Sequence, residues 1–281
     1  MRWNLIAVCS RWRQILLATP LVWRDVRIDH TQWTGENEYE RFLYRLELQL
    51  SRSGSEQLQV QLFVLWGHFL EHRASSSTGW NISRRRPDLK KLAMILERAA
   101  PFGSWKTLNL ISCDPALLEQ MQLDRMGGFT NLEVLHVKSL NDPLLPIVNG
   151  TVTHSLKHFE YVQPHTPVDG QAFLLGISNI LNCIIRLKLP SFIPGSTANL
   201  TLPPTITTLH LSGYSIPDTI LPHVRILQML SVKRREPPLI PGRFPNLTSL
   251  TLSTRGGVSS PPSTSITPLD LPYLEQLTTH L

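Results

Sequence analysis

The residues best able to do chemistry in this chain are His68-Phe69-Leu70-Glu71-His72. On a helix, His68 and His72 would stand one turn apart and could share a zinc ion, with Glu71 activating a water. That chemistry needs a third ligand from a neighbouring helix. Glu97 and Glu119 are isolated candidates, and neither belongs to an acidic helical motif. Two surface histidines beside a strand explain the same spacing. His154 and His158 repeat it, but His158 falls in a stretch of strand character, where side chains alternate with period two and no helical clamp forms. No G-x-S-x-G, phosphate-binding loop or G-x-G-x-x-G occurs. Cys9, Cys113 and Cys183 are widely spaced and form no C-x-x-C, which fits a reducing compartment, cytoplasmic or nuclear. No catalytic, cofactor-binding or metal-ligating residue is therefore assigned. The expectation is a binding protein, not an enzyme, with no cofactor.

Composition narrows the partners. The chain has 281 residues, 42 % of them hydrophobic, which is enough to build a sizeable core. Charged residues make up only 17 %, and the formal net charge is +6. The basic runs Arg84-Arg85-Arg86 and Lys233-Arg234-Arg235 are short and carry no interleaved aromatics, so they read as solvated loops and not as a nucleic-acid surface. The longest apolar stretch, Phe173–Ile185, contains Ser178, Asn179 and Asn182; it reads as a buried helix and is too short for a membrane span. Asn81, Asn149, Asn199 and Asn246 each begin an N-x-S/T sequon, and without a secretory signal these read as chance. Neither nucleic acid nor membrane is expected as a partner.

The elements that would position any site follow from a repeated phrase. Asn131–Val137 has the form L-x-x-L-x-L, with Leu132, Leu135 and Val137 at the apolar positions. It returns as Trp105, Leu108 and Leu110; Leu156, Phe159 and Tyr161; Ile184, Leu187 and Leu189; Ile206, Leu209 and Leu211; Leu227, Leu230 and Val232; and Leu247, Leu250 and Leu252. Successive phrases lie roughly 20–28 positions apart, the period of leucine-rich repeats. One such strand cannot bury its apolar face alone, so copies are expected to stack into a solenoid with a shared core. Helices at Asp88–Ala100, from Asp114-Pro115, and over Gly170–Asn182 would cover its outer side. The fold expected is α/β, a leucine-rich-repeat solenoid with a small N-terminal helical segment.

In that segment Leu5, Val8, Cys9, Trp12, Ile15 and Leu16 recur at helical spacing, and Pro20 stops the helix. Val26 and Ile28 then alternate as a short strand. Val8-Cys9-Ser10-Arg11-Trp12-Arg13 followed by Ala18-Thr19-Pro20-Leu21-Val22-Trp23 resembles the second half of an F-box as found in fungal F-box-like proteins. Tyr39–Leu50, a helix with Tyr39, Phe42, Leu43, Leu46 and Leu50 on one face, and the turn Ser51–Ser55 are similar to the helix and turn next in line in those proteins. Leu58, Val60, Leu62 and Val64 would open the solenoid. The resemblance implies that the chain is a substrate receptor of a Skp–cullin–F-box ubiquitin ligase, with a Skp-type adaptor and a protein target as partners. Val8, Cys9, Trp12, Pro20, Leu21 and Trp23 would then face the adaptor or form the F-box core. The first F-box helix has no counterpart before Val8, so a repeat scaffold without a ligase link and a truncated fragment remain alternatives. The implied organisation is residues 1–29 as the partial F-box-like segment, 30–104 as linking helices and first strand, and 105–281 as irregular repeats that stop within an unfinished phrase.

The phrase also locates a candidate binding face. The residue between its last two apolar positions points away from the core. That ladder reads Asn109, His136, Glu160, Lys188, His210, Ser231 and Thr251. It would lie on a concave strand face and contact the protein target. Trp12 and Trp23 are both expected as buried anchors of the N-terminal segment.

Overall fold

The computed structural model describes residues 9–29, 36–63, 89–111, 129–138, 155–162, 169–190, 201–212, 220–230, 241–253 and 271–280. The chain is α/β, built on parallel strands with a few helices. It divides into two compact units: Met1–Glu133 with Thr151–Thr153, and Val134–Gly150 with His154–Leu281. Among the described residues no helix is long and apolar enough to cross a membrane.

The first unit opens with α1, Ser10–Leu17, whose N-terminus is capped by Cys9 Sγ accepting from the Trp12 N–H at 3.5 Å. Only Leu16 of this helix is buried. Trp12 is 56 % exposed, so the expectation that it anchors the segment is corrected. Helical spacing put Trp12 and Leu16 on one face, but the contacting surface is narrower than that face. Trp23 does anchor it. It ends a 3-10 turn, Pro20–Trp23, is fully buried, and donates from Nε1 to the Leu16 carbonyl at 2.7 Å. The Arg52 guanidinium lies 4.9 Å from the Trp23 ring centre.

Strand β1, Asp25–Asp29, then leads to α2, Glu36–Ser53, which buries Tyr39, Leu43, Leu46 and Leu50 at helical spacing. Gln49 of α2 bridges to the chain before it, its Nε2 donating to the Trp23 carbonyl at 3.1 Å and the Asp25 carbonyl at 2.8 Å. The helix stops at Gly54, whose φ of +58° is cheap only for glycine. β2, Leu58–Phe63, and α3, Leu89–Ala99, come next, and then β3, Trp105–Ile111. α2 and α3 are joined by Lys91 to Glu40 at 2.5 Å and by Arg98 to Glu47. β1, β2 and β3 pair in that order and in parallel, with helical crossovers between them. Val26, Ile28, Val60, Leu62, Leu108 and Leu110 point into the core. Position 29 thus ends the first strand of this sheet, and position 105 begins its third.

The second unit carries seven parallel strands in chain order: β4 Val134–Lys138, β5 His158–Val162, β6 Arg186–Leu189, β7 Thr208–Ser212, β8 Ile226–Leu230, β9 Ser249–Ser253 and β10 Gln276–His280. Their inward residues stack in two rows. Leu135, Phe159, Leu187, Leu209, Leu227 and Leu250 form one, and each is at most 1 % exposed. Val137 and Tyr161 of β4 and β5, and Leu189, Leu211, Met229 and Leu252 of β6 to β9, continue the other. The stretch expected as one helix over Gly170–Asn182 is two, α4 Gly170–Gly176 and α5 Ser178–Leu181, broken at Ile177. Ile177 is fully buried, so its packing fixes the break. Asp169 caps α4, its Oδ1 accepting from the Ala172 N–H at 2.9 Å.

A single local geometry precedes most of these strands. A backbone N–H bonds to the carbonyl three residues earlier, and the donor is the first apolar residue of the phrase. The pairs are Ile184 to Leu181, Ile206 to Pro203, Val224 to Leu221, Leu247 to Phe244 and Leu274 to Leu271 in the second unit. The first unit has the same turn at Leu132 to Phe129 and at Trp105 to Phe102. Asparagines brace two of these turns. Asn131 Nδ2 donates to the Gly103 carbonyl at 2.6 Å, and Asn246 Nδ2 donates to the Pro222 carbonyl at 2.8 Å. Asn246, which begins one of the sequons, thereby has a structural use for its amide.

These turns correct the phrase assigned to β8. The core positions are Val224, Leu227 and Met229, where the sequence phrase reads Leu227, Leu230 and Val232; Val232 lies outside the described residues. Leu227 lies opposite Leu209 and Leu250, and Met229 lies opposite Leu211 and Leu252. The outward position between them is Gln228, which replaces Ser231 in the ladder. Ser231 itself lies outside the described residues.

Candidate functional site

The outward strand residues line up because parallel strands in register place equivalent positions side by side. In the second unit the central outward row runs His136, Glu160, Lys188, His210, Gln228, Thr251 and Thr278, each opposite the next. Four of the residues named from sequence, His136, Glu160, Lys188 and His210, are thus consecutive neighbours, and Thr251 belongs to the same row. In the first unit Arg27, Gln61 and Asn109 stand side by side in the same way. Arg27, Gln61, Gln228 and Thr278 were missed by the sequence reading. The turn that precedes the strands was the signal for Gln228, because Leu221-Pro222 stands to Val224 as Phe244-Pro245 stands to Leu247.

Charge is concentrated at β4 to β7. Glu160 accepts or shares a hydrogen bond with His136 Nδ1 at 2.7 Å through Oε2, and accepts from Lys188 Nζ through Oε1. The His136 bond is the largest influence on Glu160. With the Lys188 hydrogen bond and charge it outweighs burial and holds the carboxyl at about 2, below its ordinary 4.5. His210 is pushed the other way. Burial, with Arg186 and Lys188 adding and Glu160 opposing, lowers it from 6.5 to about 4, so the ring is neutral at pH 7. Its Nε2 is buried and has no hydrogen-bond partner among the described residues.

The depressed Glu160 value gives a pH prediction. A carboxyl that titrates lower in the folded chain stabilises it above the unfolded value near 4.5, and that contribution is lost as pH falls towards about 2. The full shift corresponds to about 3 kcal/mol at most, and partial solvent access reduces it to about 1–2 kcal/mol. Glu160→Gln is therefore expected to lower stability by that amount at pH 7, and the gap from wild type to narrow steadily below about pH 4.5. Urea titrations across that range check it; a gap that stays constant with pH overturns the assignment.

The N-terminal candidates separate. Cys9, Trp12, Pro20 and Leu21 are exposed, and Trp23 alone is core. Ile15 and Leu17 are also exposed, so α1 and the turn after it present Trp12, Ile15, Leu17 and Leu21 to solvent. Val8 lies outside the described residues, as do His68, Glu71, His72, Glu119 and the two basic runs. Among the described residues no three His, Cys, Asp or Glu side chains are grouped to hold a metal. No protein-family model matches the chain, and no curated protein matches it.

Proposed function

We propose that the chain is a protein-interaction module, not a catalyst, in which leucine-rich-repeat-like units stack as a solenoid and present a target on their outward strand face. We further propose that residues 9–29 act as an F-box-like segment that docks a Skp-type adaptor, making the chain a substrate receptor of a ubiquitin ligase. The observation that carries the second step is the split within the motif. Trp23 locks the segment to the body, while Trp12, Ile15 and Leu21 remain at the surface. Apolar side chains held outward on a rigid support are what a partner helix needs. Recurrence of one turn and one outward position before and within successive strands supports the repeat reading.

The test is capture of a purified Skp-type adaptor by the full chain. Binding is expected, with a loss of at least roughly tenfold on Trp12→Ala, since a truncated aromatic anchor costs about 2 kcal/mol or more. Thermal stability of that variant should match wild type. A chain that ignores the adaptor, yet retains a protein partner through its strand face, is an interaction scaffold without a ligase link.

A further inference from the structure

We propose that the outward face around Arg186, Lys188 and His210 docks an acidic segment of a partner protein, with one carboxylate of that segment lodged between Arg186 and His210. This rests on reading the strand face as the target surface and is independent of the adaptor.

Charge balance carries the first part. Glu160 is the only carboxylate among the described outward residues of β4 to β10. It is already bound to His136 and Lys188. Arg186 and Lys138 stand exposed on the same face, and neither has an ion-pair partner among the described residues. The face therefore keeps uncompensated positive charge with no acidic residue left to repel an incoming anion.

Geometry carries the second part. Lys188 lies opposite His210, and Arg186 lies opposite Thr208 on the same strand as His210, so both cations face the imidazole from β6. The Nε2 of His210 is buried and has no partner among the described residues, so the ring meets an incoming group by its outer edge. A carboxylate seated on the exposed Arg186 would accept both N–H groups of its fork and lie beside the His210 ring. The charged groups near His210 are Arg186 and Lys188 on β6 and Glu160 beyond them. Gln228 on β8 is neutral. Burial does most to keep the ring neutral, with Arg186 and Lys188 adding to it; an anion beside Arg186 offsets the charge part and supplies a negative neighbour, so docking should favour protonation of His210. Gln228 and Thr251 beside the site offer neutral hydrogen bonding suited to a peptide backbone. A nucleic acid would call for a track of cations and stacking aromatics, which this face does not present among the described residues.

The probe is fluorescein-labelled hexaglutamate, titrated onto the full chain by anisotropy. Binding is expected to tighten from neutral pH to about pH 5. Arg186→Gln should weaken it roughly tenfold, and His210→Ala should weaken it and abolish the tightening. Arg41→Gln, at an exposed arginine of α2, should change nothing. Matched melting curves confirm that each variant folds. The inference is overturned by absence of binding, by equal losses from Arg41→Gln and Arg186→Gln, or by an Arg186-dependent single-stranded oligonucleotide binding more tightly than the peptide. If hexaglutamate fails while Gln228→Trp still blocks a protein partner, the strand face stands as target surface and the acidic segment falls.

Discussion

Trp23→Ala is expected to destabilise the chain by about 3–5 kcal/mol, while Trp12→Ala changes stability by less than about 0.5 kcal/mol. Both tryptophans sit in the same short motif, so sequence alone gives them equal standing. The difference lies in what each touches. Trp23 is fully buried; its Nε1 satisfies the Leu16 carbonyl, its own carbonyl accepts from Gln49, and Arg52 lies near its ring. Truncation leaves a cavity, removes the shorter of the two hydrogen bonds to the Leu16 carbonyl and takes the ring from beside the Arg52 guanidinium. Trp12 has more than half of its surface in water, at 56 % exposed, and its side chain makes no hydrogen bond among the described residues. Urea unfolding of the two variants checks the contrast. Equal losses would mean that Trp12 is packed after all, and the proposed adaptor surface would then have no anchor.

Met229→Lys should unfold the second unit or cost at least about 3 kcal/mol, because a lysine there would bury an unpaired ammonium among Leu211, Leu227 and Leu252. Gln228→Lys, one residue away, should fall within about 0.5 kcal/mol of wild type, because that side chain points outward. The pair tests the strand register directly. Melting curves in which Gln228→Lys is the more damaging change would return Gln228 to the core and remove it from the binding row.

The same contrast shows how much was legible in the sequence. The strands at 105–111, 134–138, 158–162, 186–189, 208–212 and 249–253 were readable because large aliphatic or aromatic residues hold every inward place. At β8 the second inward place is Met229, and Leu230 and Val232 offered a competing phrase three residues later. Periodicity scores hydrophobic identity and cannot tell which of two overlapping phrases the preceding turn feeds. The turn at Leu221–Val224 decides it, and its mark in the sequence, Leu221-Pro222 before Val224, is one that apolar periodicity does not score. Helix α1 was legible from its spacing, but the burial expected of Trp12 was not met, for a related reason. Spacing found an apolar face, but which part of the face is covered depends on how Trp23 folds back onto Leu16, which spacing within the helix does not record. Within the candidate site, His136, Glu160, Lys188 and His210 were placed by alternation alone. Their bonding was not legible, because whether Glu160 reaches His136, Lys188 or water depends on register between strands.

Within the second unit each of β5 to β10 pairs with the strand before it in the chain, and among the described residues none is inserted between two earlier ones. Assembly of this unit therefore never requires a late segment to wedge between partners already joined. Each step closes one short connection, and loop closure of that length costs little. The order of chain synthesis matches the order of docking, so the polypeptide leaving the ribosome can add one strand at a time to a finished edge. The reverse path is graded in the same way: β10, which among the described residues pairs with β9 alone and keeps Leu277 half exposed, should exchange its amide hydrogens first, and the strands behind it progressively later.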